Sequence, residues 1–210
     1  MPALFERDPD ISVIIPVYNL ERFLDPILNS LASQDMGDYT AQIIFVLNNC
    51  TDNSEAVIRD SGLDCTIINC TMQGCGPARN AGLEIATGRY IWFMDGDDWL
   101  TSSDAIRCAL DAATAEDLDI LRIPFDSDLY LNDYFSMVWQ YLLKRDFVKE
   151  FRFPNYQPAE DDAYMSAVLA KSGRNRFTHM TLPFVNRALY YYNYMREGSN
   201  MFRVYRGEPI

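Results

Sequence analysis

The chain has 210 residues, of which 49% are hydrophobic, and a formal net charge of −12. This length and apolar content suit one domain with a sizeable core and exclude a disordered chain. The negative charge argues against a nucleic-acid partner, because nonspecific binding to phosphates relies on many Lys and Arg contacts. The five cysteines lack C-x-x-C spacing, so neither a disulfide framework nor a zinc ribbon is predicted.

The two ends of the chain bear on its location. The first residues lack the basic start and apolar centre of a signal peptide, and no segment reaches transmembrane length, so a cytoplasmic location is expected. Residues 174–206 carry six arginines against Glu197. This basic end predicts either contact with an anionic substrate or the inner face of the membrane, or simply scattered solvated arginines.

Strands and helices alternate along the first half of the chain. Residues 11–15 predict a strand that stops at Pro16, and the apolar stripe from Leu20 to Leu31 predicts a helix. The pattern recurs in a strand at 42–47 with a helix around 56–58. It recurs again in a strand at 65–68 with a helix at 77–87 that has Pro77 at its first position. Gly88 ends that helix before a strand at 90–94.

The second half is less regular. Residues 105–113 predict a helix, residues 120–124 a strand, and a further helix is predicted near 134–143. Strands alternating with helices imply an α/β fold with a Rossmann-like, mainly parallel sheet and flanking helices. Ligands of such sheets bind beyond the carboxyl ends of the strands, where the loops that follow the predicted strands lie.

Three carboxylates follow the apolar strand at 90–94. Asp95, Asp97 and Asp98 would repel one another at a cleft, and a divalent cation with oxygen ligands offsets that repulsion. Asp95 and Asp97 flank Gly96 and can turn toward one ion, whose open positions suit a diphosphate. The alternative is that these carboxylates cap a helix beginning at Trp99 or Ser102.

Several segments, taken in order, resemble the GT-A fold glycosyltransferases of family 2, which use nucleotide sugars. The matching segments are 11–19 (ISVIIPVYN), 51–54 (TDNS), 76–82 (GPARNAG), 95–100 (DGDDWL), 138–145, 153–154, 160–162 (EDD) and 189–199. The resemblance implies one GT-A domain. Its residues 1–100 would bind the nucleotide sugar, and residues 101–210 would carry the acceptor site and the catalytic base.

The resemblance implies an inverting, metal-dependent hexosyltransferase. Its donor would be a nucleoside-diphosphate sugar, its ion Mn2+ or Mg2+, and its acceptor a saccharide or glycolipid hydroxyl. Nucleotide contacts are implied for Pro16, Val17, Tyr18, Asn19, Asn48, Arg79, Asp95 and Gly96. Asp97 is implied as a direct metal ligand, and Asp95 as a ligand of the metal, its water shell or the ribose.

One departure from the family concerns the second loop, which usually holds an acidic pair that accepts a hydrogen bond from the base. This chain reads Leu47-Asn48-Asn49 there. The carbonyl of Asn48 can still accept such a bond. The resemblance keeps uridine as the first expectation for the base, because most relatives of this type use it, followed by thymidine and guanosine.

The catalytic base implied by the resemblance is Asp161, with Asp162 as the second candidate. The competing interpretation is that both carboxylates cap the apolar helix that follows. His179, the single histidine, is a candidate metal ligand or an ordinary histidine.

Two further assignments have alternatives. Arg79 would contact the nucleotide phosphates, or it would pair with a surface carboxylate. Residues 190–192, three tyrosines, favour sheet or core packing over sugar stacking.

Two other functions compete with the transferase. A sugar nucleotidyltransferase would carry a Gly-rich basic loop soon after the first strand, and residues 16–19 (PVYN) are not one. A degenerate GT-A protein would bind a nucleotide or glycan without turnover. The presence of Asp95, Asp97 and Asp161 argues against the degenerate form.

Overall fold

The structure is a computed structural model that describes residues 8–127, 137–155, 159–174 and 183–193. The helices are α1 (Asp25–Ala32), α2 (Ser54–Asp60), α3 (Cys75–Ile85), α4 (Ala105–Ala115), α5 (Arg145–Val148) and α6 (Glu160–Lys171), with a 3-10 helix at Val138–Gln140. The strands are β1 (Ile11–Val17), β2 (Ala41–Asn48), β3 (Thr66–Cys70), β4 (Tyr90–Phe93), β5 (Trp99–Leu100), β6 (Ile120–Arg122), β7 (Phe125–Ser127), β8 (Tyr141–Lys144) and β9 (Tyr190–Tyr192).

The strands form a six-stranded sheet in the order β3-β2-β1-β4-β8-β6 and a three-stranded sheet in the order β5-β9-β7. Within the larger sheet, β3, β2, β1 and β4 are parallel, and β8 is antiparallel to both β4 and β6. This confirms the predicted mainly parallel α/β sheet. Because four parallel strands end at one edge, the loops that follow them meet there.

Both faces of the larger sheet are covered by helices. Along β1, Val13 and Ile15 join the cluster that contains Ile27 of α1, whereas Ile14 joins the cluster that contains Met165 of α6. Successive side chains of a strand point to opposite faces, so β1 is buried on both. This explains why its sequence is continuously apolar rather than alternating.

The predicted end of the first strand at Pro16 is wrong, because β1 continues to Val17. Pairing of β1 with β4 ends at the Ile14–Phe93 pair, while pairing with β2 continues through Pro16 and Val46. The carbonyl of Ile14 faces β4, so the nitrogen of Pro16, two residues on, also faces that side and lies past the last β4 partner. A proline is tolerated where no strand needs its missing N–H.

Two predicted helix starts are also displaced. The first helix begins at Asp25 rather than near Leu20. The N–H of Leu20 is bonded to Ser54 Oγ at 2.8 Å, and the N–H of Phe23 to the carbonyl of Leu20 at 2.8 Å, so this segment is a turn held by the next loop. The third helix begins at Cys75, which places Pro77 third rather than first; proline is tolerated throughout the first turn.

The helix predicted near residues 134–143 is wrong for the residues that are described. Residues 138–140 form the 3-10 helix, and β8 follows directly at Tyr141, between β4 and β6. Leu142 and Leu143 are completely buried, one on each face of the sheet. Burial on both sides outweighs their helical propensity.

Among the described helices, none combines the length and the apolar composition needed to cross a bilayer.

Candidate active site

The loops after β1 and β2 are tied together at the carboxyl edge of the sheet. The side-chain carbonyl of Asn19 accepts the N–H of Thr51 at 2.8 Å, and the thiol of Cys50 donates to the carbonyl of Val17 at 3.2 Å. Tyr18 lies beside this junction with 55% of its surface exposed. Its ring is therefore accessible to a ligand at this edge.

Pro16 and Val17 face inward. Both are buried in β1, opposite Val46 and Leu47 of β2. Because both side chains are buried, a nucleotide would contact these two positions through their backbone atoms. These contacts remain predictions.

Asn48, the last residue of β2, shapes the neighbouring loop after β3. Its Oδ1 accepts the N–H of Gly74 at 3.0 Å, and its Nδ2 donates to the carbonyls of Met72 and Cys70 at 2.6 and 3.3 Å. The side chain is only 5% exposed. The predicted contact with a nucleobase stays a prediction. Oδ1 would have to accept a hydrogen bond from the base in addition to the one from Gly74.

Residues 95–98, called the carboxylate turn below, follow β4 directly. The helix-capping alternative is wrong, because the turn leads into β5 and α4 begins only at Ala105. Asp95 and Asp97 are half-buried at the edge. A Cβ on Gly96 would lie 2.8 Å from Leu20 Cδ1, so glycine allows the turn to pack closely. The nucleotide contact of Gly96 stays a prediction.

Asp98 differs from its two neighbours because it is completely buried. Its carboxylate accepts bonds from the hydroxyl of Tyr190 at 2.5 Å and from the N–H of Asn193 at 2.8 Å. Burial raises the pKa of Asp98 well above its usual range, and the charges of Asp97 and Asp95 raise it further. These contacts place Asp98 inside the protein rather than in the open cleft.

Arg79 joins the carboxylate turn to α6. Its side chain is 3% exposed, its Nη2 lies 2.8 Å from Asp95 Oδ1, and its Nη1 contacts both Asp161 and, at 3.6 Å, Glu160. Arg79 is thus paired with carboxylates, as the alternative interpretation expected, although Arg79 itself is buried and its partners are at most partly exposed. The predicted phosphate contact remains a prediction.

The charges of this cluster are strongly coupled. Burial alone would lower the pKa of Arg79, but the nearby charges of Asp161 and Asp95 outweigh it and raise that pKa, so Arg79 stays protonated. Burial raises the pKa of Asp161 to about 6, against the opposing charge of Arg79. A carboxylate with this pKa is ionised at neutral pH and is still a useful base.

Asp161 lies in the first turn of α6, but its carboxylate does not cap that helix. One oxygen contacts Arg79, and the other accepts the N–H of Val138 at 3.4 Å. Asp162 is exposed on the next position of the helix. The structure therefore brings Asp161, Arg79 and Asp95 together and leaves Asp162 outside this cluster.

Metal binding was predicted for Asp95, Asp97 and His179. Within the described ranges no three His, Cys, Asp or Glu side chains are arranged to hold an ion. One or two carboxylates completed by substrate phosphates are the ligand set typical of Mg2+, so Asp95 and Asp97 fit an ion shared with a nucleotide rather than a protein-only cage. His179 lies outside the described residues.

The tyrosine run forms a strand, which confirms the packing interpretation. Tyr190 is completely buried and Tyr192 is 9% exposed. Tyr191 stacks on Trp99 of β5 with ring centroids 4.1 Å apart. Of the basic end, Arg187 pairs with Asp104 at 2.8 Å, and most of the other arginines lie outside the described residues.

Sequence reasoning missed two groups of the cleft. The backbone N–H of Val138 reaches Asp161, and the hydroxyl of Tyr190 reaches both ends of the carboxylate turn. A backbone donor leaves no signal in the residue type. The tyrosine run was noticed, but nothing local indicates which tyrosine faces the turn.

Solved structures place this architecture in a known fold. The first 349 residues of Staphylococcus aureus TarS, in complex with UDP-GlcNAc, superpose with a TM-score of 0.80 at 22% identity, covering 92% of this chain and 60% of that one. The mannosyltransferase PcManGT from Pyrobaculum calidifontis, in complex with GDP-Man and Mn2+, gives a TM-score of 0.70 at 18% identity, covering 96% and 61%. These likenesses confirm the GT-A fold.

Sequence comparison then gives the family. Residues 12–182 match the model of "Glycosyl transferase family 2". Because this match covers most of the chain, the protein belongs to family 2 of the glycosyl transferases. GgaB of Bacillus subtilis (strain 168), a minor teichoic acid biosynthesis protein, is 27% identical over an alignment of 220 positions, gaps included, that covers 91% of this chain. The match covers 24% of GgaB, so this chain spans about a quarter of that relative.

Proposed function

We propose that this chain is an inverting glycosyltransferase of the hexosyltransferase type. It moves a sugar from a nucleoside-diphosphate sugar, in the first place a UDP-sugar, to a hydroxyl of a saccharide or glycolipid acceptor. The observation that carries the proposal is the bridge formed by Arg79 between Asp95 and Asp161. It joins a donor-side carboxylate to a candidate base at the ligand-binding edge of the sheet. Residues 1–100 are the donor half of the domain, and residues 101–210 the acceptor half.

The reaction requires a base on the acceptor side. The acceptor oxygen forms a bond to the anomeric carbon on the face opposite the diphosphate, while the bond from that carbon to the diphosphate oxygen breaks and leaves its electron pair on the diphosphate. Asp161 takes the proton of the acceptor hydroxyl. Its raised pKa of about 6 suits this role at neutral pH. Arg79 keeps the Asp161 carboxylate in place through a charge-assisted hydrogen bond.

The leaving diphosphate needs compensation for its growing negative charge. A Mn2+ or Mg2+ ion held by Asp97 and Asp95 supplies that charge stabilisation when bound. The presence of Mn2+ with GDP-Man in PcManGT supports a metal of this kind.

The donor base and the acceptor rest on the relatives. TarS binds UDP-GlcNAc, which supports uridine, whereas GDP-Man in PcManGT keeps guanosine as the alternative. GgaB is named for teichoic acid biosynthesis, which supports a hydroxyl-rich polymer of the cell surface as the acceptor. The ring of Tyr18 is exposed at this edge and offers a stacking surface to the base.

Calorimetric titration with UDP, TDP and GDP, each with and without Mn2+, tests the donor side. We expect UDP to bind with strong metal dependence, and Asp97→Asn to remove that dependence. Asp161→Asn should keep metal-dependent UDP binding and lose transfer. Asp60→Asn, at an exposed position of α2, is the control and should behave as the unmodified protein.

The outcomes separate the competing functions. If no nucleotide binds the unmodified protein, the donor site is wrong. If UDP binds but no sugar moves to any saccharide or glycolipid tested, the degenerate binding protein is the better description. If Asp161→Asn transfers at the full rate, another group is the base.

A further inference from the structure

The hydroxyl of Tyr190 is bonded to both ends of the carboxylate turn. It accepts the N–H of Asp95 at 2.9 Å and donates to Asp98 Oδ2 at 2.5 Å. The hydroxyl oxygen of Tyr190 therefore links the first and the last residue of the turn. Asp95 and Asp98 also share a backbone bond of 3.2 Å, from the N–H of Asp98 to the carbonyl of Asp95.

A second residue of the same segment holds the middle of the turn. Asn193 donates its backbone N–H to Asp98 Oδ1 at 2.8 Å, and its Nδ2 donates to the carbonyl of Asp97 at 3.2 Å. Tyr190, the first residue of β9, and Asn193, which follows the strand, thus reach the backbone of Asp95 and Asp97 and the side chain of Asp98. Asp95 and Asp97 are both half-buried, and Asp95 Oδ1 is also bonded to Arg79.

The hydroxyl of Tyr190 is itself fixed by packing. Its ring is completely buried and stacks on Trp139, with centroids 5.0 Å apart and planes 14° apart. Strand β9 pairs with β5 so that Tyr190 lies opposite Leu100. Because the ring cannot turn away without disrupting this stack, the hydroxyl is a fixed reference point for the turn.

We propose that Tyr190, supported by Asn193, is a positioning residue for the donor site. It sets the backbone of the carboxylate turn so that Asp95 and Asp97 are ready to share a divalent ion with a nucleoside diphosphate. The inference rests on the proposed function. It adds to it a pair of residues that contact neither the substrate nor the ion and act through the turn.

Preorganisation explains why such contacts would matter for binding. A turn that is already in its binding conformation spends no interaction energy on ordering when the ion and nucleotide arrive. Tyr190→Phe keeps the ring and its stack but leaves the N–H of Asp95 and one oxygen of Asp98 without this partner. The turn then samples other conformations. Binding of the ion should weaken more than the contacts with the nucleobase, because those contacts lie on other loops.

The experiment measures Mn2+ and UDP separately on the full chain. Mn2+ is titrated at saturating UDP and its free concentration followed by electron paramagnetic resonance, and UDP is titrated calorimetrically at saturating Mn2+. For Tyr190→Phe we expect the apparent Kd for Mn2+ to rise about tenfold, and the Kd for UDP at saturating Mn2+ to change less than about threefold. Exchange of the Asp95 amide hydrogen in the ligand-free protein should speed up about tenfold or more.

Tyr164→Phe is the matched control. Tyr164 is buried, and its hydroxyl has no hydrogen-bond partner among the described residues, so its loss should leave both Kd values unchanged. Asn193→Ala removes the bond to the carbonyl of Asp97 at a half-buried position and leaves the Tyr190 ring and its stack unchanged. It should raise the Kd for Mn2+ about threefold.

Each result decides the inference. An unchanged Kd for Mn2+ in a folded Tyr190→Phe variant overturns it, even if the melting temperature falls. Equal losses for Mn2+ and UDP also overturn it, because they indicate general damage. If Tyr190→Phe does not fold, Asn193→Ala decides. If the unmodified protein binds no UDP, the proposed function fails instead, and the exchange rate of the Asp95 amide still shows whether Tyr190 orders the turn.

Discussion

The guanidinium of Arg79 contacts the carboxylate of Asp161, although the two residues are 82 positions apart in the chain. The contact joins α3 to α6 above the same face of the sheet. The same guanidinium is bonded to Asp95 on the opposite side. A single buried cation therefore fixes the position of Asp95 relative to Asp161.

Replacing Arg79 tests how far the fold depends on this cation. Arg79→Met keeps the side-chain volume but leaves Asp95 and Asp161 without their opposite charge. Removing one member of a buried ion pair costs about 3–5 kcal/mol, and we expect a loss of unfolding free energy in that range by urea denaturation. Arg89→Met is the control. Its partner Asp117 is 60% exposed, so the expected loss is about 1 kcal/mol or less. Equal effects of the two changes would contradict the role of burial.

The pKa of Asp161 predicts the pH dependence of transfer. Burial raises this pKa to about 6. The base acts only when ionised, so kcat/KM should be constant above this value and should fall about tenfold per pH unit below it. Donor binding is measured at each pH so that its own changes can be subtracted. A profile that stays flat well below the pKa of Asp161 would rule out this residue as the base. Because Arg79 lowers the pKa of Asp161, a weaker positive charge at position 79 should raise that pKa. The fall in kcat/KM should then begin at a higher pH.

The contacts of Asn48 predict that an acidic residue at this position lowers both the stability of the protein and its affinity for UDP. In Asn48→Asp the amide that donates to the carbonyls of Met72 and Cys70 becomes a carboxylate oxygen facing two carbonyl oxygens. Buried, unsatisfied groups of this kind cost about 1–3 kcal/mol, which thermal or urea denaturation would detect. UDP affinity should fall rather than rise. Asn49→Asp, one residue along and exposed, should change stability by about 0.5 kcal/mol or less. A gain in UDP selectivity from Asn48→Asp would contradict this account.

Gly82 of α3 packs closely against Ile14 of β1. A Cβ at this position would lie 2.4 Å from Ile14 Cγ2, so α3 or β1 must shift to accept one. We expect Gly82→Ala to destabilise the protein by about 1–3 kcal/mol, although alanine is the better helix former. The exposed position Asn29 of α1 provides the comparison, where Asn29→Ala should be neutral within about 0.5 kcal/mol. Calorimetric melting measures both, and a stabilising Gly82→Ala would show that the two elements separate easily.

The elements that were predicted well depend on local pattern. The apolar runs of β1 and β2 and the strand before Asp95 are buried on both faces, and such runs have few other interpretations. The placement of Asp95 and Asp161 at one edge could also be expected, because the motifs follow the family order. These features are readable from short stretches of the chain.

The parts that failed depend on distant contacts. Residues 141–144 form a strand because β4 and β6 flank them, and nothing within the segment shows this. The first helix starts late because Ser54, on another loop, holds the N–H of Leu20. The partners of Arg79 and Tyr190 come from elements far along the chain. Sequence pattern identifies such residues as candidates but does not pair them.

The separation between Asp95 and Tyr190 also has a consequence for synthesis. The two residues are 95 positions apart, so the ribosome completes the carboxylate turn long before it reaches the strand that fixes it. Until β9 has emerged and docked beside β5, the N–H of Asp95 and the carboxylate of Asp98 lack their partner. A nascent chain released before Tyr190 would therefore contain β1 to β4 without the residue that fixes the carboxylate turn. Under the proposed function, we expect metal-dependent nucleotide binding only from chains whose synthesis has passed Tyr190.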